Sequence, residues 1–87
     1  MNIKEGKLYL VTGGTGFLGI PLIDRILDKG GKVRVIARNE GKLISLKQKY
    51  PMVDIFPGDI SDSLEILQAM KGVSGVFHLA ASKHVGL

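Results

Sequence analysis

The stretch Thr12-Gly13-Gly14-Thr15-Gly16-Phe17-Leu18-Gly19 decides the fold of this 87-residue chain. The apolar run over 8–11 precedes it, and apolar residues at helical spacing follow it. Between a strand and a helix, a glycine-rich turn leaves the first N–H groups of the helix free to bind phosphate oxygens. We therefore predict that this stretch binds the pyrophosphate of a dinucleotide; a glycine-rich turn without a ligand is the alternative. The predicted contact residues are Gly13, Thr15, Gly16, Phe17, Leu18 and Gly19.

Apolar periodicity divides the whole chain into alternating strands and helices. Strands are predicted over 7–12, 33–37, 53–56 and 76–80, and helices over 17–28, 40–49 and from 61 or 62 to 70. Strands that alternate with helices form a parallel sheet covered by helices on both faces. Right-handed crossovers then give the strand order 3-2-1-4, so we predict an α/β protein with a partial Rossmann fold. Its ligands are expected at the C-terminal ends of strands 1 and 4.

Composition excludes several classes of protein. The chain has no cysteine, which excludes disulfides and cysteine metal sites and fits a cytoplasmic location. No histidine and carboxylate cluster has ligand spacing, so no metal site is predicted. The net charge is +4, but lysines and arginines are scattered and no aromatic residues interleave with them, so nucleic acid is not an expected partner. No apolar run approaches the roughly 20 residues that a membrane span needs.

The segment Ala37-Arg38-Asn39-Glu40 follows the second strand and bears on the choice of cofactor. An acidic residue directly after this strand would bind the ribose 2′-hydroxyl and favour NAD. Arg38 can instead offer its planar guanidinium to a 2′-phosphate and stack on adenine. We therefore predict NADP(H), with Arg38 and Asn39 in contact with the cofactor. A solvated arginine is the alternative, and Glu40 keeps NAD open.

Two further side chains at strand ends are candidates. Asp59 follows the third strand and can accept a hydrogen bond from the adenine amino group, while Ile60 can pack on the ring. Alternatively, Asp59 only organises the turn or caps the next helix. His78 lies inside an apolar strand, where we expect a core histidine bonded to backbone and not a catalytic one.

Three segments together resemble the extended short-chain dehydrogenase/reductase family of NAD(P)-dependent epimerases and dehydratases. They are the glycine stretch over 12–19, Gly58-Asp59-Ile60-Ser61-Asp62 and Val76-Phe77-His78-Leu79-Ala80-Ala81. The ending Ala80-Ala81-Ser82-Lys83-His84-Val85 is similar to the polysaccharide-biosynthesis branch, typified by UDP-N-acetylglucosamine 4,6-dehydratases, although Gly86 stands where a proline is usual. The resemblance implies that Leu79, Ala80 and Ala81 line the nicotinamide-side ribose and that Lys83 lies near the cofactor or a nucleotide sugar.

The family's chemistry uses a Tyr-x-x-x-Lys pair, which this chain does not contain. Four residues after Tyr9 comes Gly13, and four after Tyr50 comes Asp54. We therefore assign no catalytic residue and expect residues 1–87 to be the truncated N-terminal part of an NAD(P)-binding domain, without the substrate domain. The expected parent is a nucleotide-sugar dehydratase, epimerase or reductase. The alternatives are a non-catalytic NADP(H)-binding sensor and an acyl-thioester reductase of the same superfamily.

The fourth predicted strand is also a candidate interface. It would form an apolar, uncharged edge of the sheet, and such edges pair with other chains. We therefore expect a homo-oligomer that forms through this edge.

Overall fold

Four parallel strands form one sheet in the order β3-β2-β1-β4. The computed structural model describes residues 2–79. The elements, in chain order, are β1 (Leu8–Thr12), α1 (Gly19–Asp28), β2 (Lys32–Ala37), α2 (Glu40–Lys49), β3 (Asp54–Pro57), α3 (Ser63–Ala69) and β4 (Val73–His78). The α/β class and the strand order 3-2-1-4 predicted from the sequence are thus confirmed.

Helices cover both faces of the sheet, as predicted. Neighbouring residues of β1 point to opposite faces, so its apolar side chains serve two cores. The larger core holds α1 and α2 against the sheet and contains Tyr9, Val11, Ile23, Ile26, Val33, Val35, Leu43, Leu46 and Val53. The smaller core holds α3 against Leu10 and Ile36 through Ala69 and Ile66. The chain reverses direction across the sheet after β3, and a right-handed crossover then places α3 on the face opposite α1 and α2.

The first helix begins two residues later than predicted. It starts at Gly19, not at Phe17, because tight turns occupy the preceding segment. The N–H of Gly16 donates to the carbonyl of Gly13 at 3.1 Å, and the N–H of Gly19 donates to the carbonyl of Gly16 at 3.1 Å. Pro21 lies in the first turn of α1, where a missing N–H costs no helical hydrogen bond.

The fourth strand begins three residues earlier than predicted, at Val73. Ser74 and Gly75 are typical of turns, but Gly75 lies under the ring of Tyr9. A Cβ at Gly75 would come within 3.1 Å of a carbon of that ring. Glycine in this strand therefore provides room for an aromatic side chain on the neighbouring strand. The predicted last residue of this strand, Ala80, lies outside the described residues.

The other helix boundaries follow their caps. The range predicted for α2 agrees with the structure, and Asn39 caps it by accepting from the N–H of Lys42 at 3.0 Å. Asp62 caps α3 by accepting from the N–H groups of Leu64 and Glu65, which settles the choice between Ser61 and Asp62. Among residues 2–79 the outer edge of β4 has no neighbouring strand, and no helix is long and apolar enough to cross a membrane.

Candidate functional site

The glycine stretch lies where β1 ends and α1 begins, and its backbone is tightly packed. Gly13 has φ +74°, a conformation that favours glycine. A Cβ at Gly19 would overlap the backbone of Gly14. Leu18 offers no side-chain cap to α1, so the helix begins without an intramolecular acceptor from that residue. A close backbone approach and an uncapped helix start together fit an anionic ligand.

Two apolar side chains of the stretch project into solvent. Phe17 is 93% exposed and Leu18 is 60% exposed. Neither packs in a core of the described residues. Thr15 is half-buried and faces α2.

A cavity of about 410 Å³ opens at the C-terminal ends of β2 and β3, and we name it the β2–β3 cavity. It brings together four of the predicted residues from three separate parts of the sequence: Gly13, Arg38, Asp59 and Ile60. Its remaining lining residues are Ile36, Ala37, Gly58 and Ser61. Apolar walls with one carboxylate and one guanidinium at the rim suit a planar heterocycle that carries hydrogen-bond donors.

The structure shows one of the roles that the sequence suggested for Asp59, the organisation of the turn after β3. Its Oδ1 accepts from the N–H of Ser61 at 2.9 Å and from the hydroxyl of Ser61 at 2.7 Å, which organises the turn. These two hydrogen bonds lower the pKa of the carboxyl group, and the charge of Arg38 lowers it further. The other oxygen, Oδ2, lies 3.9 Å from Nη1 of Arg38. Asp59 is therefore an ionised acceptor at neutral pH, and the helix cap is Asp62.

A second cavity, of about 430 Å³, lies between the glycine stretch and α2, and we name it the α2 groove. It is lined by Thr15, Ile20, Asn39, Gly41, Lys42, Ser45, Leu46 and Lys49. Arg38 and Asn39 are consecutive in the chain but line different cavities. Neither Lys42 nor Ser45 was predicted from the sequence. Their spacing of three residues on α2, counted from the cap Asn39, is the signal that could have found them.

The C-terminal ends of β1 and β4 meet through a side-chain hydrogen bond. Oγ1 of Thr12 lies 2.6 Å from Nδ1 of His78. The expectation of a core histidine bonded to backbone is therefore wrong, since His78 is exposed and its partner is a hydroxyl group. Thr12 is buried, and the imidazole satisfies its hydroxyl.

Leu79 is half-buried against the glycine stretch. Its N–H donates to the carbonyl of Thr12 at 3.2 Å, and its own carbonyl oxygen would lie 3.2 Å from a Cβ at Gly13. The end of β4 is therefore packed on the same turn that begins α1. The other predicted residues of this segment, Ala80, Ala81 and Lys83, lie outside the described residues. Residues 2–79 contain no group of three metal-ligating side chains.

Comparison with known proteins adds a family relationship to this geometry. A family model described as GDP-mannose 4,6 dehydratase matches residues 10–87. A putative dihydroflavonol 4-reductase of Synechocystis sp. is 40% identical over 91% of this chain and 22% of its own length. The sterol-4-alpha-carboxylate 3-dehydrogenase (decarboxylating) of Mus musculus is 35% identical over 92% of this chain and 20% of its own length.

A solved structure shares the fold described above. Pen from Bacillus thuringiensis superposes with a TM-score of 0.85 at 32% identity, over 93% of this chain and 26% of the Pen chain. The chain thus spans between a fifth and about a quarter of the length of these three proteins.

Proposed function

This chain belongs to the GDP-mannose 4,6 dehydratase family, among the extended short-chain dehydrogenases/reductases, and we propose from this that it binds NADP(H) for a nucleotide-sugar-converting enzyme. Membership of this family makes it an NAD(P)-binding region of dehydratase, epimerase or reductase type. The preference for NADP(H), the contact residues and the sugar nucleotide are our proposals. The observation that carries them is the convergence of the glycine stretch, Arg38 and Asp59 at the C-terminal edge of the sheet.

The proposed binding mode places the pyrophosphate at the glycine stretch and the adenine in the β2–β3 cavity. The pyrophosphate lies at the start of α1, where Gly16 and Gly19 allow the backbone to approach closely. The adenine occupies the β2–β3 cavity, its amino group donates to Asp59, and Ile60 packs on the ring. We propose that Leu79, Ala80, Ala81 and Lys83 contact the nicotinamide half of the cofactor. When bound, the cofactor supplies or accepts the hydride.

Arg38 is the basis for proposing NADP(H) over NAD. Its side chain is 80% exposed, and its one ion pair among the described residues, with Asp59, is long at 3.9 Å. A guanidinium held this loosely can turn toward a 2′-phosphate and form two parallel hydrogen bonds. No carboxylate lies directly after β2, where it would accept from a 2′-hydroxyl and repel a phosphate.

The proposed substrate is a nucleotide sugar, as the description of the matching family suggests. Residues 1–87 contain no Tyr-x-x-x-Lys pair, so we propose that they form the N-terminal part of the cofactor domain. The general acid or base and the substrate site then belong to other parts of the polypeptide.

Cofactor preference is tested by calorimetric titration of the full-length protein with NADPH and NADH. In Arg38→Ala, we expect NADPH affinity to fall about tenfold, as for loss of a charge-assisted hydrogen bond, and NADH affinity to change much less. Arg25→Ala is the matched control, because Arg25 is an exposed arginine in the last turn of α1. Equal wild-type affinities for the two cofactors, unchanged in Arg38→Ala, would contradict the preference.

A further inference from the structure

The loop between β3 and α3 is fixed to its neighbours through its backbone. The N–H of Gly58 donates to the carbonyl of Ala37, at the end of β2, at 3.0 Å. The carbonyl of Asp59 accepts from the N–H of Asp62, the cap of α3, at 3.0 Å. The N–H of Asp59 donates to Oε1 of Glu65 at 2.6 Å. Both backbone polar groups of Asp59 therefore have partners at the start of α3.

The carboxylate of Glu65 bonds to a different residue from the one that its position suggests. Glu65 is the third residue of α3, where a glutamate commonly accepts from the N–H of the cap residue. Here the N–H of the cap, Asp62, already donates to the carbonyl of Asp59. Glu65 instead reaches three residues further back, to the N–H of Asp59. Its side chain therefore fastens the loop to the helix.

Gly58 leaves the space that this contact needs. A Cβ at Gly58 would lie 3.2 Å from Oε1 of Glu65 and 3.1 Å from a ring carbon of Phe56. Glu65 is half-buried, so the hydrogen bond is partly shielded from water. The residues that line the β2–β3 cavity include Asp59 but not Glu65. Any influence of Glu65 on a ligand there acts through Asp59.

The backbone position of Asp59 determines where its carboxylate lies. Oδ1 accepts from the N–H and the hydroxyl of Ser61, two residues further along the same loop. The carboxylate therefore moves with the loop, and Oδ2 is the oxygen left to accept from a ligand in the β2–β3 cavity. Because hydrogen bonds weaken steeply with distance and angle, a small displacement of the loop would weaken that contact.

We propose that Glu65 is a positioning residue for adenine recognition, which holds Asp59 where its carboxylate can accept from the adenine amino group. The assignment rests on the proposed function, in which adenine occupies the β2–β3 cavity. Glu65 fixes the backbone of Asp59, and Ser61 fixes its carboxylate. The selectivity of the cavity for a base with an amino group then depends on a side chain of α3 that does not touch the ligand.

The test compares two mononucleotides that differ in the group that faces Asp59. Adenosine 5′-monophosphate carries an amino group there, and inosine 5′-monophosphate carries a carbonyl oxygen, which a carboxylate repels. Both are titrated into the full-length protein by calorimetry. We expect the wild type to bind the adenine nucleotide about tenfold more tightly. Glu65→Ala should reduce this ratio about threefold, and Glu65→Gln, whose amide oxygen still accepts, should retain most of it.

Asp62→Ala is the matched control. It removes the side-chain cap of α3 but keeps the backbone N–H that donates to Asp59, so it loosens the helix and leaves Glu65 in place. We expect it to lower stability and to keep the wild-type ratio of the two affinities. An equal fall of the ratio in Asp62→Ala and Glu65→Ala would indicate a general loosening of α3 and overturn the role of Glu65.

Hydrogen exchange tests the contact without any substitution. The amide of Asp59 should be protected in the full-length wild type, because its N–H is bonded to Glu65. An unprotected amide would refute the role of Glu65 even if Glu65→Ala did not fold.

The remaining outcomes separate this inference from the proposed function. If Asp59→Ala abolishes the preference for the adenine nucleotide and Glu65→Ala does not reduce it, adenine recognition by Asp59 stands and the role of Glu65 is refuted. If the wild-type protein binds both nucleotides equally, the proposed adenine contact itself fails, and the role of Glu65 fails with it.

Discussion

At the scale of single residues, the glycine stretch is fixed by contacts that leave no room for a side chain. Gly19 lies directly against the backbone of Gly14, and backbone cannot move aside as a flexible side chain can. We predict that Gly19→Ala lowers the free energy of unfolding by about 2 kcal/mol or more and weakens NADPH binding. Urea denaturation and calorimetric titration of the full-length protein measure the two effects.

Gly41→Ala is the control for this prediction. Gly41 is exposed in the first turn of α2, and its nearest neighbour for a Cβ is the side chain of Asn39 at 3.4 Å. Alanine should therefore raise stability by about 0.5–1 kcal/mol, as it does inside helices generally. Equal stability changes in the two variants would show that the close contact at Gly19 is unimportant.

Residues marked by local spacing could be predicted from the sequence. Contacts between residues that are distant in the sequence could not. The spacing of Gly13, Gly16 and Gly19 indicates a turn, because this signal depends only on neighbouring positions in the sequence. The hydrogen bond between Thr12 and His78 joins residues 66 positions apart and depends on the register of β1 with β4. Lys42 likewise became a candidate only when packing placed α2 beside Thr15.

At the scale of elements, Arg34 connects three parts of the fold. From β2, its Nε donates to Oδ2 of Asp54 on β3 at 2.7 Å. Its Nη1 donates to the carbonyls of Ala69 at 2.6 Å and Lys71 at 2.9 Å, at the end of α3. One side chain therefore satisfies the last carbonyl of α3, at Ala69, and a carbonyl of the following turn, at Lys71. It also holds α3 in place on the face with the smaller core.

We predict that Arg34→Met lowers the free energy of unfolding by about 2 kcal/mol, because methionine fills similar space but donates no hydrogen bond. Arg25→Met, at an exposed position of α1, should change stability by less than about 0.5 kcal/mol. Chemical denaturation of the full-length variants gives both values. A smaller effect for Arg34→Met than for Arg25→Met would contradict the connecting role of Arg34.

The elements themselves could be predicted because periodicity and caps are local signals. The boundaries of α2 agree with the prediction, since Asn39 and Pro51 flank the helix on both sides. The start of β4 was missed because Ser74 and Gly75 follow turn statistics, while the space under the Tyr9 ring decided the outcome. Tertiary contacts of this kind have no local signal in the sequence.

At the scale of the whole molecule, the outer edge of β4 has free backbone groups among residues 2–79. Val76 on this strand is 44% exposed, and no charged side chain interrupts the strand before His78. We predict that the 87-residue chain self-associates through this edge. Light scattering at increasing concentration should show dimers or larger species, and Val76→Lys should reduce them. A monodisperse monomer at high concentration would refute the prediction.

The central claim is that the C-terminal edge of the sheet binds NADP(H) through three separated segments. Amide chemical shifts of the full-length protein, recorded by NMR during titration with NADPH, test this most directly. We predict that the largest shifts fall on residues 13–19, 38–42 and 58–61, with little change at the opposite edge, around Lys7 and Lys32. Absence of shifts in the glycine stretch, or shifts centred on that opposite edge, would contradict the account.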